Sequence, residues 1–294
     1  MLERASLAPQ GSARLAERRR LRRRRILIAL GVLLALLCAG IIYELNQSAV
    51  RISHVTVYGA DQSLADIAAA SMQGKYFGLV PRDSTFFFPD ASIRAGIMAA
   101  HPDIAAVSIF HNGLTGLSIK VDERVPVAPW CGLAPTPNVE EYCYVFDAGG
   151  FIFAPHASTT VTINNFALYA PLAPLETPAK AGPGTTSALS LTGLAGNAQE
   201  PLRATVADSE KLPDAFDFAR RLGTFGSPVV RVVIRGDEVD DMLGSGTRIT
   251  YVLGNEENAF TALVSARDSF NLADGSIDYV DLRFGSKVYL KQKK

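Results

Sequence analysis

Apolar positions fall into three regimes along the chain. From Ile26 to Tyr43 they run for 18 positions without a charge, mostly Leu, Ile, Val and Ala. At ~1.5 Å per residue such a helix is ~27 Å long, close to the ~30 Å hydrocarbon of a bilayer. Between residues 52 and 124, strand-like and helix-like periods alternate. Val55 and Val57 alternate with Thr56 and Tyr58 ahead of Gly59, then Leu64, Ile67, Ala68 and Met72 recur at helical spacing up to Gly74. Pro81 and Phe86-Phe87-Phe88 cross an irregular segment, after which Asp90 opens a second helix carrying Ile93, Ile97 and Ala100, closed by Pro102. Val107 and Ile109, then Leu117, Ile119 and Val121, alternate on either side of Asn112-Gly113 and Gly116, the pattern of a hairpin. The order β-α-α-β-β predicts a small α+β unit with helices over one face of a sheet.

From Val125 onward Gly and Pro are frequent and strands dominate. Tyr144–Phe146 and Phe151–Phe153 flank Ala148-Gly149-Gly150 as a hairpin. Residues 171–201 hold five prolines with Gly, Ala, Ser and Thr and no period, which predicts a long exposed loop. Leu212-Pro213-Asp214 opens a short helix with Ala215, Phe216, Ala219 and Leu222 inward, stopped at Gly223. Strands are expected at Val229–Ile234 and Arg248–Leu253. Asn255 then caps a helix burying Phe260, Leu263, Val264 and Phe270, and Ile277–Phe284 and Val288–Leu290 close the chain as strands.

Charge sharpens the first regime. The chain is neutral overall, yet residues 1–43 hold nine arginines against two glutamates, a net +7 that leaves −7 beyond Tyr43. The cluster Arg18–Arg25 precedes the apolar run and Glu44 follows it, so the positive-inside rule predicts residues 1–25 as a cytoplasmic tail and 26–43 as a retained transmembrane helix. A cleaved signal peptide is the alternative. Its apolar core is shorter, and Leu37-Cys38-Ala39-Gly40 is a poor cleavage site. The arginines suit anionic lipid, and the acidic remainder disfavours nucleic acid. Gly31, Ala35 and Ala39 form a small-residue stripe along one face of the span.

Residues that would carry chemistry are scattered. His54, His101, His111 and His156 show no zinc spacing; no C-x-x-C, G-x-S-x-G, P-loop or dinucleotide pattern occurs. The run Asp237-Glu238-Val239-Asp240-Asp241 lacks the central Gly and terminal Glu of a calcium loop and reads as a solvated turn. The expectation is no catalytic residue, no metal, no cofactor and no small-molecule substrate. Cys131 and Cys143 flank a Pro/Gly-rich segment outside the membrane and are expected to form a disulfide, with free buried thiols as the alternative.

Three features together resemble the bacterial cell-division FtsQ family, called DivIB in Gram-positive bacteria. The first is the layout of basic tail, single helix, small α+β unit and β-rich remainder. The second is Leu117-Ser118-Ile119-Lys120-Val121-Asp122-Glu123-Arg124-Val125-Pro126-Val127-Ala128-Pro129-Trp130, similar to the family's strand ending in E-R-x-P-x-A-x-W. The third is Tyr279-Val280-Asp281-Leu282-Arg283-Phe284, similar to its terminal V-D-L-R strand. The Phe-rich 76–89 segment and the cysteine pair stand apart from the family pattern.

The resemblance implies a polypeptide-transport-associated (POTRA) domain over 52–124 and an FtsQ-type, mostly antiparallel β-domain with two helices over 125–294. It implies a non-enzymatic scaffold at the division septum, anchored in the cytoplasmic membrane. Such a scaffold binds FtsB/DivIC-like and FtsL-like bitopic partners and helps control the septal peptidoglycan synthase. The implied mode is strand addition along the C-terminal strand, through Tyr279, Asp281, Arg283, Phe284, Ser286, Val288, Tyr289 and Leu290. Val280, Leu282 and Phe284 are expected inward, and Tyr279, Asp281 and Arg283 on the other face. A secretion or envelope-assembly factor bearing POTRA units, or a membrane-anchored envelope enzyme, is the alternative.

Overall fold

The computed structural model describes residues 10–136, 141–174, 201–285 and 287–293. A long helix α1 (Gln10–Leu45) comes first. Within it Arg22–Leu45 is long and apolar enough to cross a membrane, and its large apolar side chains, such as Leu27, Leu30 and Leu36, are exposed. The helix continues through the arginine cluster, which the apolar run alone does not predict.

The chain divides into two units, Met1–Ala100 with Ala106–Asp122, and His101–Ala105 with Glu123–Lys294. The first unit contains, after α1, the elements β1 (His54–Tyr58), α2 (Leu64–Ser71), β2 (Lys75–Tyr76), β3 (Val80–Pro81) and α3 (Asp90–Ala100), with β4 (Ile104–His111) and β5 (Gly116–Glu123) except for Ile104, Ala105 and Glu123 at the boundary. Its three-stranded sheet has the order β1-β5-β4, with β1 parallel to β5. Leu64 and Ala68 of α2 and Ile93 and Ile97 of α3 are buried, as are Leu117, Ile119 and Val121 on β5, so the periods read from the sequence mark the faces that pack. The segment between the helices forms a tight hairpin of β2 and β3.

The second unit holds β6 (Ala128–Trp130), β7 (Tyr144–Phe146), β8 (Ile152–Pro155), β9 (Ala167–Tyr169), α4 (Leu212–Leu222), β10 (Val229–Arg235), β11 (Glu238–Leu243), β12 (Arg248–Val252), α5 (Glu256–Ser265), β13 (Ile277–Asp281) and β14 (Tyr289–Gln292). Among the described residues they make one sheet ordered β14-β13-β12-β11-β10-β9-β6-β7-β8. The β10–β9, β6–β9 and β12–β13 pairs are parallel, and the other five are antiparallel. The architecture is therefore mixed α+β, with a largely β region following one apolar N-terminal helix.

Helix α4 ties the sheet together. Phe216 packs between Phe146 and Phe166 with ring centroids 6.2 and 5.2 Å away, while Phe218 meets Tyr251 at 4.4 Å and Phe260 of α5 at 6.2 Å. Pro213 sits in its first turn and Arg220 and Arg221 in its last, matching the helix dipole.

Three expectations are corrected. The acidic run is not a solvated turn: Glu238–Leu243 is strand β11 inside the sheet, with Asp240 and Asp241 only 3% and 0% exposed. The two-residue connection Gly236-Asp237, with Gly236 at φ +62°, makes β10 and β11 a hairpin. Helix α5 buries Ala259, Ala262 and Leu263, so Val264 falls on its exposed face, and the helix ends at Ser265, leaving Phe270 beyond it and half-buried. The strand at Ile277 stops at Asp281, and Phe284 turns outward rather than into the core, at 57% exposure. The reason is local: the Asp281 carboxylate accepts the Arg283 amide at 3.1 Å, bending the chain out of the ladder. Of the expected 171–201 loop, residues 175–200 lie outside the described residues; Leu172 bridges Val206.

Candidate partner-binding edge

Every sheet has two ends, and here they differ. At one end lies β8, which finishes on Pro155 and whose Ile152 exchanges backbone bonds with Arg203 and Ala204 at 2.8 and 2.9 Å. At the other end lies β14, which pairs only with β13 among the described residues. All four of its residues are exposed.

The register defines which groups of β14 are free. Val280 opposes Leu290 and Asp281 opposes Tyr289, and just past the strand the Lys293 amide donates inward to the Ser276 carbonyl at 2.8 Å. Bonds alternate along an antiparallel ladder, so Lys291 and Tyr289 also point inward. Leu290 and Gln292 then present N–H and C=O to the open side. Such a row is a template for another strand.

Charged and aromatic side chains brace this edge from one strand in. Arg283 donates to Asp281 at 2.7 and 3.0 Å and reaches Glu238 of β11 as well. These bonds hold the Asp281 carboxyl below the usual carboxylate range and raise the Arg283 guanidinium further. Lys291 pairs with Asp278 at 2.8 Å, which lowers the Asp278 pKa and raises that of Lys291. The Tyr279 ring takes Arg248 and Lys291, each 5.6 Å from its centroid. Phe284 meets Tyr289 edge-on at 5.3 Å, leaving an exposed aromatic pair at the end of β14.

Tyr289 and Leu290 thus lie on the edge strand itself, and Phe284 clasps Tyr289. Tyr279 and Asp281 belong to the neighbouring interior strand, half-buried and buried. Arg283 is exposed just beyond it, and Val288 is half-buried against the core. Ser286 lies outside the described residues. Lys291, Asp278 and Arg248, which the sequence did not single out, and Glu238, read there only as part of an acidic run, complete the patch; their signal is spacing across strands, which appears only once the register is known.

The segment from Arg124 to Trp130 is structural. Arg124 forms an ion pair with Asp147, donates to the Pro102 carbonyl at 2.9 Å and stacks 4.2 Å over Phe151. Trp130 donates its indole N–H to the Ala170 carbonyl at 2.9 Å. Cys131 and Cys143 are joined in a disulfide, with Cα atoms 4.3 Å apart. Asp147 also accepts the Gly149 and Phe151 amides at 2.9 and 3.0 Å, setting the β7–β8 turn. Gly150 there has φ +78°, and a Cβ would meet that of Ser209 at 2.6 Å.

Elsewhere, a cavity of about 200 Å³ opens where α4 meets the start of α5, lined by Asp217, Arg221, Glu256 and Glu257 among others. Among the described residues no group of three His, Cys, Asp or Glu is placed to hold a metal ion. Compared with protein-family models and with curated proteins, the sequence matches none.

Proposed function

We propose that this protein is a membrane-anchored division scaffold of the FtsQ type, which captures a strand of an FtsB-like bitopic partner on β14. The carrying observation is the open edge of β14, with Leu290 and Gln292 offering unpaired backbone groups beside the exposed Phe284–Tyr289 pair. Strand addition draws affinity from main-chain hydrogen bonds and specificity from flanking side chains. Lys291 on β14 is already paired with Asp278, but Lys287 and Lys293, just before and after the strand, favour a partner strand carrying carboxylates. The scaffold reading is also supported by the Arg124 and Trp130 contacts and by the order β1-α2-α3-β4-β5 with β1 beside β5, an arrangement compatible with a POTRA domain. The arginine cluster before the span favours a cytoplasmic N-terminus, with both folded units on the outer face. An FtsL-like partner and the septal peptidoglycan synthase complex then lie downstream of the same capture. No step of this function calls for catalysis.

The test is partner affinity for the full chain in nanodiscs. Leu290→Pro removes an outward N–H and obstructs the incoming strand while leaving the inward ladder. It is expected to weaken binding at least tenfold, ~1.4 kcal/mol. Val161→Ser, at an exposed position away from β14, is expected to change nothing. Undiminished binding by Leu290→Pro would remove β14 as the docking edge.

A further inference from the structure

The β2–β3 hairpin has an unusual tip. Leu79 donates its amide to the Tyr76 carbonyl at 3.0 Å, closing a two-residue turn through Phe77 at φ +49° and Gly78 at φ +75°. A turn with two left-handed central residues favours Asn or Asp ahead of Gly, because a bulky side chain is strained there. Here the first position is Phe, and the residue is 99% exposed. The fold holds an aromatic residue in a disfavoured backbone conformation and buries none of it.

Neighbouring apolar side chains extend the feature. Leu79, Phe86 and Phe87 are 55%, 62% and 54% exposed. Phe77, Val80 and Phe87 face the end of α1, where Cys38, Ile42 and Leu45 line with them a cavity of about 580 Å³. The Asn46 side chain fixes the hairpin to the helix end by donating to the Leu79 carbonyl at 3.2 Å. Behind the tip, Arg82 stacks 5.4 Å over Tyr76, and Lys75 is exposed.

The position of the hairpin identifies its occupant. A span from Ile26 to Leu45 rises ~30 Å, the thickness of the hydrocarbon. Cys38 lies ~10 Å before its end. A hairpin that packs beside Cys38 and Ile42 therefore sits alongside the last turns of the span, at the depth where acyl chains meet headgroups. Aromatic residues concentrate at that depth, and cations behind them reach lipid phosphates.

We infer that the Phe77–Leu79 tip, with Phe86 and Phe87, is a second membrane-contacting site that inserts into the lipid interface beside α1. This site pins the first folded unit to the bilayer instead of leaving it tethered by the helix alone. The inference rests on α1 spanning the membrane.

The test places a tryptophan at each of three positions in the full chain, reconstituted in phosphatidylcholine/phosphatidylglycerol vesicles with brominated acyl chains. The emission added over the parent, which keeps its own Trp130, is then read. Phe77→Trp is expected to emit at shorter wavelength and to be quenched most by shallow bromines. Tyr58→Trp, at the far end of β1, is expected to remain unquenched. Quenching of Ile41→Trp without quenching of Phe77→Trp would overturn the site while upholding the span. Absence of quenching at Ile41→Trp would instead overturn the span, and the site with it. Equal quenching of Tyr58→Trp and Phe77→Trp would show the whole unit lying on lipid, and would overturn a hairpin-specific contact.

Discussion

Two buried carboxylates in the sheet respond to pH in opposite directions. Asp241 is fully buried, its oxygens have no hydrogen-bond partner among the described residues, and burial followed by the nearby charges of Asp240 and Glu256 raises its pKa well above the usual value. The folded state then holds a proton that the unfolded chain releases near pH ~3.9. Its contribution to stability falls as pH rises from that value through the folded pKa. Asp241→Asn is expected to flatten this part of a stability–pH curve measured by urea unfolding; an unchanged slope would count against the assignment. Asp281 behaves oppositely. Its pKa is lowered first by the hydrogen bond from Arg283, so its contribution is present above ~3.9 and lost as pH falls through the folded value. At Arg124 the expectation is simpler. Arg124 and Asp147 are each only 16% exposed, so Arg124→Ala leaves a mostly buried carboxylate unpaired and is expected to cost about 3 kcal/mol in unfolding free energy. These roles were only partly legible in the sequence. Arg124 and Trp130 stood out as a motif, but Asp240 and Asp241 looked solvated because four acids within five residues outweighed the Val239–Leu243 alternation. Arg235 and Thr250, which bind Asp240 at 2.7 and 2.6 Å, lie five and ten residues away on the flanking strands, so they meet it only once the hairpin register is known.

Elements with a strong period were the most legible. The apolar span, α2, α3, α4 and the β7–β8 hairpin follow directly from spacing and turn residues. Less legible were elements whose limits depend on a single polar contact: β13 ends where Asp281 captures Arg283, and α5 ends a turn before Phe270. The β2–β3 hairpin was hidden because Phe-Gly is not a usual signal for its turn. At this scale the disulfide offers a clean test. It closes a separation of 12 residues, for which the chain-entropy account gives about 3 kcal/mol. Cys143→Ser is expected to lower the unfolding free energy by that order, with β6 and β7 still paired in the native state. The edge offers another. Tyr279 holds Lys291 of β14, and Arg283 lies over Phe284, which meets Tyr289, so Arg283→Ala or Tyr279→Ala is expected to weaken partner binding by ~1–3 kcal/mol, with circular dichroism unchanged.

For the whole molecule, fold class was readable and function was not readable from periodicity alone. Patterning specifies an apolar helix, a small α+β unit and a sheet-rich unit. It does not say which strand is left open, because sheet order is set by pairings between residues far apart in sequence. The scaffold reading depends on that open edge, and the backbone of β14 reports on it without any substitution. Hydrogen exchange of the full chain, followed with and without the extracytoplasmic segment of an FtsB-like partner, resolves individual amides. Strand addition predicts that the Leu290 and Gln292 amides exchange freely alone and become strongly protected on binding, while those of Tyr289 and Lys291 are already protected by β13. Binding that leaves the Leu290 and Gln292 amides as exposed as before would contradict it.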